Sequence, residues 1–384
     1  MTSPSPGADP GLYLDANATE PLRPEAREAV LAAFELVGNP ASVHADGRAA
    51  RKLLEAARAS LAVRLGARPE NVVFCAGATE ANAMAVHGLA AGGGIVIGAT
   101  EHDAVRAAAP NAVIAPVDTA GRLDHAAFAA CLAAHRPTLA CVMAANNETG
   151  VLNDIATIAA LCAAQGTRLH VDAVQAAGRV PNPDYLAQGA SSVAVSAHKL
   201  GGPKGAGALL LAADAASRLV PLIRGGGQEQ GRRGGTHNLP GIAGFAAALD
   251  AAHSTICPDP RLAALRDAID AGARGCGAVI AGAEAPRLAN TTCLVLPGLA
   301  AETQIIALDL AGIRVSAGAA CSSGKVARSH VLAAMGLGDL AASAIRVSLP
   351  WNAPEDAPAR FLAAYRRLAD RALRKSAHVS TSAA

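Results

Sequence analysis

The sequence predicts an α/β protein with a large, mostly parallel sheet domain and a smaller α/β domain after it. Three observations lead there. Short apolar runs alternate with helical patterns between residues 71 and 212, the pattern of strands and crossover helices in a parallel sheet covered on both faces. The chain has 384 residues, enough for a sizeable core and more than one domain. The apolar share is 52% but aromatics are only 2%, so the core must be made of Ala, Leu and Val.

The elements follow in order. Residues 1–11, "MTSPSPGADPG", are rich in Pro, Gly and Ser and are expected to be a loose arm. "PEAREAVLAAFELV" (24–37) carries a helical pattern with Pro24 in its first turn. "HADGRAARKLLEAARASLAVRLG" (44–66) is a longer amphipathic helix that should stop at Gly66. Strand-like "NVVFCA" then runs into helical "GATEANAMAVHGLA", "GIVIGA" into "TEHDAVRAAA", and "TLACVMA" through "ANNETG" into "DIATIAALCAAQG". "RLHVDA" leads to "VQAAG", "SSVAVSA" to "HKLGGPKG", and "GALLLA" follows. Past residue 250 the pattern changes to a helix, "PRLAALRDAIDAGA", and shorter segments. The last helix, "PEDAPARFLAAYRRLADRALRK", has acids at its start and bases at its end, as the helix dipole favours, and "SAHVSTSAA" is expected to fray. The expected division is 15–250 for the large domain, with 1–14 and 251–384 forming the small one.

Composition narrows the partners. Net charge is +2 with both signs scattered and no basic stripe, so nucleic acid is not expected. No run reaches the roughly 18 apolar residues of a membrane span, and the start lacks a signal-peptide pattern. Eight cysteines lie far apart without a C-x-x-C pair or a His/Cys ligand cluster. That points to reduced thiols in the cytoplasm, not to disulfides or a metal site.

Ligands of open α/β sheets bind beyond the carboxyl ends of the strands. The residues expected there are Ala78 and Thr79 after Gly77, then His102, Asn147, Asp172 with Gln175, and Ser196 with His198 and Lys199. Each has a plainer reading on its own. Thr79 sits at a helix start that either is merely capped or takes an anion. His102 alone reads as a helix cap, and Asn147 as a turn residue. Lys199 alone could reach solvent along its stem. Asp172, inside "LHVDAV", is harder to dismiss, because a buried carboxylate needs a cationic or N–H partner. Pyridoxal phosphate would use all of these groups. It needs a lysine for its carbonyl, an acid facing its pyridine nitrogen, an anion site for its phosphate and a flat group against its ring. Lys199, Asp172, Thr79 with its helix, and His102 meet those needs, and Gln175 would reach the ring oxygen.

With these residues in place the chain resembles the cysteine desulfurases of the nitrogen-fixation and iron–sulfur-assembly type. These belong to the class V aminotransferase group of pyridoxal-phosphate enzymes. The stretches that carry the resemblance are "GNPASVHADGR", "GATEAN", "ANNETG", "HVDAVQAAG", "SAHKLGGPKGAGAL", "GGGQEQGRRGGTHN", "SAGAACSSGK" and "SHVLAAMG", in that order across nearly the whole chain. The resemblance implies the aspartate-aminotransferase fold (fold type I). It also implies L-cysteine as substrate, a homodimer, and delivery of sulfur to an acceptor protein such as an iron–sulfur scaffold. Residue by residue, it gives Lys199 the covalent link to the cofactor, Asp172 the pyridine nitrogen and His102 the ring face. Ala78, Thr79, Ser196 and His198 become phosphate contacts. Asn147 and Gln175 lie near the substrate and the cofactor oxygen. Thr236 reaches the phosphate of the neighbouring subunit, Arg346 binds the substrate carboxylate, and Cys321 becomes the persulfide. Arg suits bidentate capture of a carboxylate independently of any family. Cys321 lies among small residues in "SAGAACSSGK", whereas the other seven cysteines read as structural.

Two places depart from that family's pattern. Glu20 stands where Thr or another small residue is common, and "SLPWNAPEDA" lacks the usual Gly after "SL". Neither is expected to touch a catalytic group. The C-terminal tail differs from that of housekeeping members and leaves the sulfur acceptor open. The competing expectations are a selenocysteine lyase or another class V aminotransferase, and a catalytically silent protein of the same fold. A transaminase has no use for Cys321, and a silent protein has none for Lys199, Asp172 and Arg346.

Overall fold

Runs of two to five small and β-branched residues form the strands. The computed structural model describes residues 11–181, 184–254, 259–318 and 328–381. The strands are β1 (Leu12–Tyr13), β2 (Val72–Cys75), β3 (Ile95–Gly98), β4 (Val113–Ala115), β5 (Leu139–Met143), β6 (Arg168–Asp172), β7 (Ser192–Ser196) and β8 (Gly207–Leu211). Beyond them come β9 (Val279–Ala281), β10 (Thr291–Val295), β11 (Ile313–Arg314), β12 (Ser316–Ala317) and β13 (Ala344–Ser348).

Seven strands make the large sheet, in the order β2-β8-β7-β6-β5-β3-β4. Only β8 runs against its neighbours β2 and β7; the pairings among β3 to β7 are parallel. Side chains alternate between faces. Val72, Phe74, Val142, Val171 and Val195 enter one apolar cluster, while Val73, Cys75, Cys141, Ala194 and Leu209 enter another on the opposite face. Both faces are therefore dry, which explains why the strands read as unbroken apolar runs. The register pairs Met143 with Asp172 and Asp172 with Ala194, so the carboxyl ends of β5, β6 and β7 form one edge.

The helix Ala45–Arg64 buries Ala50, Leu54, Ala57, Leu61 and Ala62, a stripe at three- and four-residue spacing, and ends just before Gly66 at φ +69. The first helix is shorter than its pattern suggests: Pro24–Phe34, not 24–37. The chain must turn at Gly38, where a Cβ would run into the Asp46 carbonyl. The last helix is longer, Ala357–Thr381, and takes in most of the expected tail, which has no Gly or Pro to stop it.

A four-stranded antiparallel sheet, β12-β13-β10-β9, forms beyond residue 278, and β1 pairs with β11. Leu12 and Leu14 pack with Leu294, Ile345, Phe361 and Tyr365 in a separate apolar cluster. The chain thus crosses from this cluster to the large sheet through residues 15–23, which matters for the site below. Among the described residues, no helix is long and apolar enough to cross a membrane, and no group of three His, Cys, Asp or Glu could hold a metal ion.

Candidate active site

The ends of β5, β6 and β7, the start of helix Ala78–Ala90, residues 17–19 and β13 enclose a cavity of about 740 Å³. Ala78, Thr79, His102, Asn147, Asp172, Gln175, Ser196, His198, Lys199 and Arg346 all line it. Thr236 does not. It is exposed and borders a different cavity, of about 470 Å³, with Arg58, Gln228 and His237. Cys321 lies outside the described residues.

Asp172 is buried at the end of β6. Its carboxylate accepts from Asn82 Nδ2 at 2.8 Å and from the Val174 N–H at 3.1 Å. Because the carboxylate only accepts, the Asn82 amide must turn its Oδ1 to His170, whose Nε2 stands 2.9 Å away. Nε2 must then carry the proton, and Nδ1 accepts from the Ser192 hydroxyl at 2.8 Å. Burial lowers the His170 pKa to about 3, so this ring stays neutral. Sequence reasoning missed Asn82 and His170. A signal was available, since His170 stands two residues before Asp172 and so shares its face of the strand.

At the helix start, Gly77 has φ 157, a conformation closed to side-chain-bearing residues, and leads directly into the free N–H groups of the first turn. The Ser196 hydroxyl is buried there without a hydrogen-bond partner, and it lies 3.9 Å from where a Gly77 Cβ would stand. An orphaned donor beside a helix N-terminus fits an anion such as a phosphate. His198 Nδ1 meets the Thr19 hydroxyl at 3.2 Å. Burial, then Lys199, Lys204 and Arg179, lowers its pKa to about 4.

The plainer reading of His102 also holds: it caps helix Asp103–Ala108, with Nδ1 accepting from the Ala104 N–H at 3.0 Å. The cap fixes a ring that at the same time borders the cavity. Beside it, Glu101 is fully buried. One of its carboxyl oxygens accepts from the Met143 N–H at 2.8 Å and the other has no partner, and burial pushes its pKa well up.

Arg346 comes from the middle of β13. Its guanidinium donates to Asp15 Oδ1 at 2.7 Å and to the Asn147 carbonyl at 3.2 Å, and its buried Nε has no partner. Lys199 Nζ donates to the carbonyls of Asn17 and Ala18 at 2.6 and 3.1 Å. Gln175 is engaged at both ends of its amide, donating to the Asn17 carbonyl at 3.0 Å and accepting from Arg179. Asn17, also missed in the sequence, therefore touches Lys199, Gln175 and Arg179, and its own amide donates to the Asn147 carbonyl.

Glu20 stands beside the site. Its backbone N–H donates to the His198 carbonyl at 2.9 Å, and its carboxylate binds Arg179 at 2.8 Å and the Trp351 N–H at 2.5 Å. The two departures from the family pattern thus meet each other, one bond away from cavity residues. Of the cysteines expected to be structural, four of the six described are buried, and Cys131 and Cys276 are half-buried. Cys75, Cys141, Cys162 and Cys293 are buried, and burial pushes Cys75 and Cys162 up to about 12, which makes them inert thiols.

A mostly parallel sheet with an acid, a lysine and an orphaned hydroxyl beside a helix start at its carboxyl edge is the arrangement of the class V aminotransferase fold. A profile of the aminotransferase class-V family matches residues 12–357. A cysteine desulfurase of Frankia sp. (strain EuIK1) is 42% identical over 353 residues, 85% of this chain and 83% of that protein. An IscS-like cysteine desulfurase of Mycobacterium tuberculosis is 37% identical over 88% of this chain and 91% of its own length. The crystal structure of a NifS-like protein from Rickettsia africae superimposes with a TM-score of 0.86 at 32% identity, covering 94% of this chain and 99% of that one. The chain belongs to the class-V aminotransferase family, among its cysteine desulfurases, a pyridoxal-phosphate-dependent group.

Proposed function

We propose that the protein converts L-cysteine to L-alanine and carries the sulfur as a persulfide on Cys321. The observation that supports this most is the convergence of Lys199, Asp172, Ser196 and Arg346 on one cavity. Pyridoxal phosphate fits the groups present. The helix start with Ala78, Thr79, Ser196 and His198 would hold its phosphate, Asp172 its ring nitrogen, His102 its ring face, and Lys199 its carbonyl carbon. Bound there, it supplies an electron sink for the substrate's α-carbon.

The residues do the rest. Arg346 and Asn147 hold the substrate carboxylate. Asp172 keeps a proton at the ring nitrogen, and Lys199 takes the α-proton onto Nζ. The Cys321 thiolate then attacks the substrate sulfur. An S–S bond forms as the C–S bond breaks, the electron pair stays on the β-carbon, which takes a proton, and return of a proton from Lys199 Nζ to the α-carbon completes alanine. The persulfide passes to an acceptor protein such as an iron–sulfur scaffold, in a reducing compartment such as the cytoplasm. The active unit is a homodimer in which Thr236 serves the neighbour's phosphate. Exposed Leu31, Phe34, Val37 and Val43 give a second copy an apolar surface to cover.

Incubation with cysteine, followed by assays of alanine and of protein-bound sulfur, tests this reading. Cys321→Ala should still bind the cofactor and change its absorbance with cysteine, yet make almost no alanine. A labile sulfur mapped to another cysteine, or normal alanine output from Cys321→Ala, rejects it.

A further inference from the structure

Residues 15–23 form a strap between the small sheet and the turn that carries Lys199. The Glu20 and Arg23 N–H groups donate to the carbonyls of His198 and Gly201 at 2.9 and 2.8 Å. On the strap's inner side, the Asn17 and Ala18 carbonyls take the Lys199 amine. On its outer side lies a second cavity, of about 220 Å³, bordered by Glu20, Arg23, Arg179, Lys199 and Trp351. Lys199 borders both cavities. Asn17, Ala18 and Thr19 border the larger cavity and Glu20 and Arg23 the smaller one, so at these positions polar bonds as well as packing set where the strap lies.

Those bonds centre on Glu20. It is buried, and its two carboxylate oxygens are divided between Arg179 and the Trp351 N–H. Arg179 carries the bond inward, donating to Asn17 Oδ1 at 2.9 Å and to Gln175 Oε1. Trp351 secures the strap's far end. Its indole N–H donates to the Pro21 carbonyl at 2.9 Å, and the Arg23 guanidinium lies 4.9 Å from its ring centre.

We propose that Glu20, with Arg179 and Trp351, is a positioning latch that fixes the strap so that the Asn17 and Ala18 carbonyls hold the Lys199 ammonium whenever that amine is not covalently engaged. The proposal rests on Lys199 being the amine that alternates between bound and released states. Carbonyl oxygens accept N–H bonds only, so a pair of them 2.6 and 3.1 Å from Nζ favours an ammonium over a neutral amine. A released lysine that has taken a proton needs such a receiver, held in register with the cavity.

The test compares Glu20→Ala, Glu20→Gln and Trp351→Phe with the parent protein. In cofactor-free protein, mass spectrometry reads how fast acetic anhydride modifies Lys199. Glu20→Ala should raise that rate about tenfold, the factor of roughly one charge-assisted hydrogen bond. In the loaded enzyme it should lower kcat by a similar factor with a smaller change in KM for cysteine, because Arg346 is carried by β13 and bonds the strap at Asp15, five residues before Glu20. Glu20→Gln keeps an acceptor for Arg179 and Trp351 and should recover most of both. Trp351→Phe, which loses only the Pro21 bond and keeps a ring for Arg23, should shift labelling in the same direction by less, and serves if Glu20→Ala fails to fold. Unchanged Lys199 labelling in whichever of these variants folds overturns the latch. Lys199→Ala, run beside them, separates the two ideas. If it turns over normally, the reading of Lys199 is wrong. If it is dead while the strap variants match the parent, only the latch is wrong.

Discussion

Asp172 and Glu229 are both buried carboxylates beside the large sheet, and their partners differ in kind. Glu229 borders the cavity of about 470 Å³ near Thr236, but its charge is answered by the protein itself. Its two oxygens receive a fork of bonds from Arg58 at 2.7 and 2.8 Å, the Phe74 N–H at 2.8 Å and His237 Nε2 at 2.6 Å. Burial pushes this carboxyl up, but the Arg58 and His237 bonds overrule it and bring the pKa down to about 2. Asp172 is bonded by neutral donors, Asn82 and the Val174 N–H, and borders the large cavity. A charge answered by an arginine has its counterion already and serves the fold. A charge steadied by amides alone, behind a neutral histidine, is left facing whatever enters the cavity. The contrast explains why the same side-chain chemistry anchors the loop near Thr236 in one place and suits a cofactor in the other.

Arg58→Ala should show the largest effect. It strands Glu229 without its main counterion and should cost about 3–5 kcal/mol of unfolding free energy, read by denaturant titration. The sign of the pH dependence follows from the lowered pKa. The Glu229 contribution is present above the ordinary value of 4.5 and fades as pH falls toward about 2. That acid-side slope should flatten in the variant. A loss under about 1 kcal/mol by the same titration, the scale of an ordinary surface change, would show that the fork is not an anchor.

Asp172→Ala should reverse the pattern. Unfolding of the cofactor-free protein should move little, since only neutral donors lose a partner, while turnover drops by about 10²–10³-fold, as when a charge-stabilising group is removed from an active site. Near-normal turnover would break the comparison. His170→Phe probes the relay and should do less. With no Nε2–H on its Oδ1, the Asn82 amide is free to rotate, and cofactor affinity should weaken by about tenfold, the scale of one buried hydrogen bond. Equilibrium titration with pyridoxal phosphate measures it.

The contrast also marks what the sequence could disclose. The strands carrying the site were legible because both sheet faces are dry and the apolar runs are unbroken. Asp172, Lys199 and Ser196 were legible as polar groups at the ends of such runs. The short edge strand β4 and the helix His125–His135 gave no clear signal. The partners of the site were hidden for a different reason: Asn82 is 90 residues from Asp172 in the chain, and Asn17 is 182 from Lys199. Spacing does not reveal contacts made across the fold. The bonds of Glu20 were hidden on the same ground, since its partner Trp351 is 331 residues away in the chain.

A third buried carboxyl, Glu101, sharpens the comparison and should show the smallest effect. It has neither an arginine nor a set of amides: one oxygen takes the Met143 N–H and the other has no partner. Burial and the nearby Asp172 charge raise its pKa, with only the Met143 bond and Arg106 opposing, so the folded protein holds it as a neutral acid. Glu101→Gln replaces that acid with a neutral group of the same shape, whose oxygen can still accept from Met143. At pH 5 the change should stay within about 1 kcal/mol. The sign at higher pH is fixed by the raised pKa. The unfolded chain ionises near 4.5 while the folded one resists, so the parent loses stability as pH rises toward the folded value. The glutamine does not titrate, so Glu101→Gln should gain on the parent between about pH 5 and about pH 8, measured as the difference in unfolding midpoint across that range. A variant that instead loses ground as pH rises would mean that Glu101 is ionised in the folded protein. Glu101 would then belong with Glu229 as a charge with a partner.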